Sequence, residues 1–139
     1  MVRLVFVFLI LTGCGVASKL SREYPDEIVI HHLYPLRTSF VSITCDRVKK
    51  IADVKKLVIK DRKEIERCHN VFEEKSNFQL DTSISIEDFR ISIAFVKDGR
   101  ETKTICWSHL QRCLIDGKVY RYNEKVETFL LDYGLIFKK

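Results

Sequence analysis

The chain has 139 residues, of which 46% are apolar and 31% are charged. This length suits one domain rather than two, and the mixture excludes a disordered chain or a collagen-like repeat. Only two prolines and five glycines occur, so long flexible linkers are excluded as well. The 24 Lys and Arg residues outnumber the 19 Asp and Glu residues, which gives a net charge of +5.

Residues 1–13 have the pattern of an export signal. Arg3 precedes an unbroken apolar run over residues 4–11, which is much shorter than the roughly 20 residues that a membrane-spanning helix needs. A short apolar run behind a positive charge is typical of a secretory signal peptide. We therefore assign residues 1–13 to a signal peptide, and no later stretch is apolar enough to predict a membrane span.

The signal ends in Leu11-Thr12-Gly13-Cys14, an aliphatic residue and two small residues before a cysteine. This pattern resembles the lipobox of bacterial lipoproteins. The resemblance implies that Cys14 is linked to diacylglycerol, becomes the first residue of the mature chain and is then N-acylated with a fatty acid such as palmitate. Two or three acyl chains are enough for stable membrane anchoring. Ordinary signal-peptide cleavage after Gly15-Val16-Ala17 remains the alternative.

The residue after Cys14 bears on the location of the anchor. Gly15 stands where lipoproteins retained in the inner membrane usually carry Asp, so the resemblance favours the outer membrane. The acidic run that some bacteria use for surface display is absent here, which favours the periplasmic face. Residues 14–26 then form the lipidated N-terminus and a polar tether, and residues 27–139 form a single domain.

The first half of that domain contains three predicted strands. Residues 27–33 are rich in β-forming residues, and a turn over residues 35–37 leads into a second strand over residues 38–45. Along this second strand apolar residues alternate with Ser and Thr, as expected for a half-buried strand. A third strand is predicted over residues 56–60.

A helix follows the third strand. Asp61 is the predicted N-cap, and the helix runs to about residue 75. Its apolar residues recur at helical spacing and define one buried face: Ile65, Cys68, His69 and Phe72. Residues 76–82 have the composition of a polar loop.

The second half begins with a hairpin that turns at Asp98-Gly99. Alternation over residues 89–95 predicts that Ile91 and Ile93 face the helices, whereas Arg90 and Ser92 face solvent or a partner. A two-residue turn would pair Ile91 with Cys106. A three-residue loop with a left-handed Gly99 would instead pair Ile91 with Ile105 and Phe89 with Trp107. We favour the three-residue loop because it puts the large apolar groups on one face.

A second hairpin and a last helix complete the domain. Asp116-Gly117 marks the turn that leads into a strand over residues 119–122, and Asn123 then caps the helix. Its predicted inward residues are Val126, Phe129, Leu130 and Tyr133, and Gly134 ends it. The predicted fold class is α+β, an antiparallel sheet of about six strands with two helices packed on one face.

Four cysteines remain when Cys14 is removed by lipidation or cleavage: Cys45, Cys68, Cys106 and Cys113. An even number in an oxidising compartment predicts disulfides, and three pairings are open. Cys106 and Cys113 are close enough in sequence to close a small loop, which would leave Cys45 with Cys68. Single buried thiols are the alternative.

Zinc binding is a competing use of these thiols. Cys68-His69 and the stretch 106–113, which includes His109, offer two thiolates and imidazoles. The spacing lacks the paired cysteine knuckle of strong zinc sites, so we rank disulfides above zinc and expect no cofactor. His31 and His32 are adjacent in a strand and point to opposite faces, which makes a poor metal pair. We expect one of them to be partly buried with its hydrogen bonds satisfied and the other to be solvated.

Positive charge is concentrated between residues 47 and 63. The basic residues of this stretch are Arg47, Lys49, Lys50, Lys55, Lys56, Lys60, Arg62 and Lys63. They form a candidate surface for an acidic protein or an anionic envelope component. A simple solvated face is the alternative. Nucleic acid is a poor fit as a partner because the export signal would carry the protein away from it. In addition, no aromatic residues interleave with the basic ones.

The sequence lacks the motifs that mark common catalytic sites, including G-x-S-x-G, G-x-G-x-x-G, the P-loop, H-E-x-x-H and C-x-x-C. We therefore expect a non-enzymatic interaction domain tethered to the cell envelope. An immunity or inhibitor protein that neutralises a toxin or hydrolase is one form of it. A small thiol- or zinc-dependent envelope protein is the alternative.

Overall fold

A computed structural model describes residues 24–33, 42–85, 88–108 and 111–137. The signal peptide, Cys14, most of the tether, the predicted turn over residues 35–37 and His109 lie outside the described residues. Within the described ranges the domain is α+β, with one antiparallel sheet and helices packed on it.

The described residues form a sheet of seven strands rather than about six. In chain order they are β1 (Glu27–His32), β2 (Lys55–Ile59), β3 (Phe78–Leu80), β4 (Ile91–Lys97), β5 (Arg100–Trp107), β6 (Arg112–Ile115) and β7 (Lys118–Tyr122). Their spatial order is β2-β1-β4-β5-β6-β7-β3, and every neighbouring pair is antiparallel. The described helices are α1 (Cys45–Val48), α2 (Arg62–Glu73) and α3 (Glu124–Asp132), and a 3₁₀ turn spans Lys75–Asn77.

The two long helices begin at the predicted caps. The Asp61 carboxylate accepts hydrogen bonds from the backbone N–H groups of Lys63 and Glu64. The Asn123 side chain accepts from the N–H groups of Lys125 and Val126 in the same way. Each cap satisfies backbone donors that the first helical turn leaves without partners.

Both long helices pack on one face of the sheet, as predicted. Phe72 of α2 lies at the centre of this core, with ring centroids 5.4 Å from Trp107 and 5.0 Å from Phe129 of α3. The sheet contributes apolar residues from its central strands, and Ile93 in β4 has no exposed surface. We call this face the helix face.

The opposite face is covered in part by α1 and the residues beside it. Ile43 and Val48 pack there with Leu33, Phe89 and Cys106. The C-terminal part of the predicted strand over residues 38–45 is wrong. Residues 42–44 have no regular structure, and Cys45 begins α1. Residues 38–41 lie outside the described part. Ser92 also lies on this face, with 0% of its surface exposed, so the expectation that it faces solvent is wrong.

Two Asp-Gly turns close the hairpins. Asp98 and Gly99 have φ of 50° and 71°, and Asp116 and Gly117 have φ of 49° and 74°. Positive φ at both central residues is the geometry of two-residue turns that match the twist of the strands. A left-handed Gly99 is thus confirmed, but the three-residue loop is wrong.

The register of the first hairpin differs from both alternatives. Ile91 pairs with Trp107 and Ile93 with Ile105, because a β-bulge between Phe95 and Val96 adds a residue on β5 after the two-residue turn. The structure differs by two residues from the favoured register. A slip of two keeps every strand side chain on its face, so the grouping on the helix face is confirmed for Ile91, Ile93, Ile105 and Trp107. It is wrong for Phe89, which precedes β4 and packs on the opposite face.

Candidate binding surface

The eight basic residues between positions 47 and 63 do not form one compact patch. Arg47 lies in α1 and Lys49 and Lys50 follow it, whereas Arg62 and Lys63 begin α2. Lys60 lies between β2 and α2. Lys55 and Lys56 lie between these groups, in β2. Since a strand rises about 3.4 Å per residue, Lys55 and Lys60 are separated by roughly 17 Å, and the charge follows β2 along its length.

Carboxylates partly neutralise some of these residues. Lys49 pairs with Glu101, Lys60 with Glu27 at 3.3 Å, and Arg62 with Glu66 at 3.2 Å. The lysines in β2 itself, Lys55 and Lys56, are exposed. Strand β2 therefore carries exposed positive charge.

Within the described ranges, strand β2 is one outer edge of the sheet and pairs with β1 alone. Four of its five residues are exposed, including the apolar Leu57 at 42% and Val58 at 39%. An edge strand presents backbone groups that can pair with another chain, and lysines on such an edge discourage pairing with the wrong one. This edge with its flanking Lys60 is called the β2 edge below.

The hydrogen-bond pattern fixes which backbone groups point away from the sheet. Leu33 donates its N–H to the carbonyl of Arg90, 2.8 Å away, so alternate residues of β1, including His31 and Val29, point towards β4. Ile28, Ile30 and His32 then bond to β2 through Ile59, Leu57 and Lys55. The N–H and C=O groups of Lys56 and Val58 consequently point outwards, where the described chain has no further strand.

A polar row runs from the β2 edge into the sheet on the face opposite the long helices. Lys56 lies opposite His31, His31 opposite Ser92, and Ser92 opposite Cys106. Burial lowers the pKa of His31, and the charges of Lys56 and Lys49 lower it further. His31 is therefore neutral near pH 7.

Two atoms of this row are buried without hydrogen-bond partners, His31 Nδ1 and Ser92 Oγ. His32 on the helix face is also buried, its Nε2 is unpartnered, and burial lowers its pKa. We expected one histidine with satisfied hydrogen bonds and one solvated histidine. Both expectations are wrong, because each imidazole has a buried nitrogen without a hydrogen-bond partner. Ser92 has no exposed surface, so its hydroxyl has no access to a substrate despite lying beside an imidazole.

A disulfide bond joins Cys45 to Cys106, whose Cα atoms lie 5.8 Å apart. The suggested pairing of Cys106 with Cys113 fails because these residues occupy opposite faces of the sheet. Cys113 lies opposite Trp107 on the helix face, whereas Cys106 lies opposite Leu114 on the other face. Cys68 and Cys113 are buried thiols, so the second expected disulfide is not formed.

These two thiols are poor nucleophiles and poor ligands. Burial raises the pKa of Cys113 to about 12 and raises that of Cys68 further, so both stay protonated, whereas thiolates react and bind metals. His69 packs edge-on against Tyr24, with ring centroids 4.8 Å apart. Among the described residues no three His, Cys, Asp or Glu side chains are arranged to hold a metal ion.

One charged cluster was not anticipated by the sequence. Asp81 accepts hydrogen bonds from Arg112 Nε and Arg121 Nε, each at 2.8 Å, and from Ser83. Arg112 and Arg121 are direct neighbours on β6 and β7, so the carboxylate relieves a repulsion between two cations. Hydrogen bonds from Ser83 and both arginines hold the pKa of Asp81 far below its usual range. The cluster fastens the end of β3 to the sheet.

The cluster also corrects the prediction for residues 76–82. These residues are not a loop throughout, because Phe78–Leu80 pair with Tyr120–Tyr122 of β7 as strand β3. The Asp81-Thr82-Ser83 sequence, in which an Asp side chain bonds two residues ahead, was the available signal for a fixed turn.

No helix in the described ranges is long and apolar enough to cross a membrane. The chain matches no family model, no curated protein and no solved structure.

Proposed function

We propose that this chain is a cell-envelope lipoprotein whose domain, residues 27–139, binds an acidic protein at the β2 edge. The lipobox residues 11–14 support an acyl anchor at Cys14. Gly15 supports the outer membrane, and the lack of an acidic run after Cys14 supports its periplasmic face. The domain acts by occupying a surface of its partner and not by catalysis. Neutralising a toxin or hydrolase, as an immunity or inhibitor protein does, is the form of binding that suits such a tethered domain.

The observation that carries the proposal is the composition of the β2 edge. Two exposed apolar residues, Leu57 and Val58, lie between Lys55, Lys56 and Lys60. Exposed apolar side chains on both faces of an edge strand, flanked by charge, suit contact with another chain along that edge. Like charges along the edge accelerate encounters with an acidic partner and exclude basic ones. Binding should therefore weaken with salt, because surface charges are screened beyond about 8 Å at physiological ionic strength.

Charge reversal at the β2 edge tests the binding surface. The full chain and a Lys55→Glu/Lys56→Glu variant are each used to capture partners from envelope extract, at low and at physiological salt. The matched control is Lys118→Glu/Lys125→Glu, which makes the same change of charge at exposed sites on β7 and α3. The proposal expects a captured protein that is lost with the first variant and retained with the control.

Equal capture by both variants would contradict the assigned surface. Capture of anionic lipid vesicles in place of a protein, with the same dependence on Lys55 and Lys56, would contradict the assigned partner class.

Substitution at Cys14 tests the anchor separately. Cys14→Ser removes the thiol that receives the lipid, so the chain should leave the detergent phase in a phase-separation experiment. The parent chain should remain in that phase. If both partition alike, the lipoprotein assignment is wrong, whereas the binding assignment is untouched.

A further inference from the structure

We propose that the partner binds as an added strand, an extended acidic segment of another protein that pairs antiparallel with the β2 edge. This inference rests on the proposed function and specifies the mode of binding at the same site. Strand addition takes its affinity from main-chain hydrogen bonds and its specificity from alternating side chains.

The backbone of β2 offers the pairing groups. Lys56 and Val58 point their N–H and C=O groups away from β1, which follows from the pairing of β1 with β4. An antiparallel strand can exchange two hydrogen bonds with each of these residues. Four new hydrogen bonds would extend the sheet by one strand beyond its present edge.

The side chains of β2 specify the sequence of the added strand. Lys55 and Leu57 point to the helix face, whereas Lys56 and Val58 point to the opposite face, because side chains alternate. Opposite charges and apolar pairs stabilise directly facing positions. The best antiparallel partner therefore carries acidic residues opposite Lys60, Lys56 and Lys55 and β-branched residues between them, as in Glu-Thr-Val-Val-Glu-Glu.

The same pattern disfavours a second copy of this chain as the occupant. Two β2 edges can pair antiparallel only with outward-pointing residues opposite each other, and the pairing centred on Val58 sets Lys56 of each copy opposite Lys60 of the other. Like charges that face each other across strands are destabilising. The lysines thus oppose self-association in this register while they favour an acidic strand. The other outer strand, β3, has three residues and no lysine, so it lacks this selectivity.

The test uses four blocked hexapeptides and the full chain, labelled with ¹⁵N and held in detergent. The first peptide is Glu-Thr-Val-Val-Glu-Glu, and the second replaces each Glu by Gln. The third carries N-methyl groups on the two residues opposite Val58 and Lys56. The fourth is the matched control, with N-methyl groups on the two residues opposite Ile59 and Leu57, whose N–H groups point away from β2.

Titration followed by NMR gives the dissociation constants, and hydrogen exchange of the Lys56 and Val58 amides gives the site. Binding of the first peptide should slow exchange at both amides. Loss of the three charges should weaken binding about tenfold at low salt and less at high salt. N-methylation opposite Lys56 and Val58 removes two hydrogen bonds and should weaken binding about tenfold or more, whereas the control should change it less than twofold.

Three results would overturn strand addition: equal affinity of the two N-methylated peptides, equal affinity of the Glu and Gln peptides, and no binding of the first peptide. Protection of the Lys56 amide by concentrating the chain alone would assign the edge to a second copy and would overturn it as well. If capture from envelope extract still depends on Lys55 and Lys56 in any of these cases, only the mode of binding is wrong. If that dependence is lost too, the proposed function fails.

Discussion

The bond between Cys45 and Cys106 gives the most quantitative prediction of stability. It closes a loop between residues 61 positions apart. A cross-link removes conformational entropy from the unfolded chain, and a loop of this length corresponds to about 4 kcal/mol at 25 °C in the chain-entropy model. Since small domains have a free energy of unfolding of about 5–15 kcal/mol, reduction should remove a large part of the stability.

Urea denaturation of oxidised and reduced chain measures this loss. With a urea dependence of about 2 kcal/mol per molar, reduction should lower the midpoint by about 2 M. The Cys45→Ser/Cys106→Ser variant is the control, and its midpoint should not respond to the reductant. Non-reducing peptide mapping should find Cys45 joined to Cys106, with Cys68 and Cys113 alkylated only after denaturation.

A reductant effect below about 1 kcal/mol would refute the entropic reasoning for this loop. A bond from Cys113 to Cys106 would refute the assignment of these two residues to opposite faces of the sheet.

Other predictions concern the two faces of β4 and the cluster at β3. Ile93→Ala should lower the free energy of unfolding by about 2–5 kcal/mol, because Ile93 is fully buried. Ser92→Ala should leave the free energy of unfolding unchanged or raise it, because the lost hydroxyl is buried without a partner. A loss above about 1 kcal/mol in urea melts would show that the hydroxyl is hydrogen-bonded. The pKa of Asp81 is lowered in the folded state, so its ionised carboxylate stabilises the fold above the usual carboxyl range. This contribution is lost as the pH falls through the folded-state pKa. In Asp81→Asn the free energy of unfolding should therefore fall less steeply with decreasing pH than in the parent chain. Identical acid limbs for parent and variant would contradict that role.

The parts of the fold that depend on neighbouring residues were predictable from the sequence. Asp61 and Asn123 cap their helices because a short polar side chain can reach the N–H groups two and three residues ahead. The place of the turn at Asp98-Gly99 was predictable because both residues tolerate positive φ, although the favoured three-residue loop was wrong. These interactions are complete within a few residues.

The parts that were missed depend on residues distant in sequence. The β-bulge after Phe95 shifts the hairpin register although nothing near it in the sequence marks it. Leu80 is 53% exposed, and its strand β3 forms because β7 supplies the hydrogen bonds. The disulfide partners could not be chosen until the register placed Cys106 and Cys113 on opposite faces.

The candidate site was predictable in composition but not in geometry. The basic stretch from residue 47 to residue 63 is evident in the sequence, yet only the strand order places β2 at the edge. Only the pairing of β1 with β4 shows that Lys56 and Val58 point outwards. The strand order and the pairing of β1 therefore define which backbone groups and side chains of the basic stretch can contact a partner.

Photo-cross-linking in intact cells tests the β2 edge as the binding surface most directly. A photoreactive side chain replaces Lys56 in one strain and Lys118, an exposed lysine of β7, in another. Binding of an acidic protein at the β2 edge predicts a covalent adduct with a second protein from position 56, abolished when Lys55→Glu is added, and no such adduct from position 118. Adducts of equal yield from both positions, or none from position 56, would contradict it.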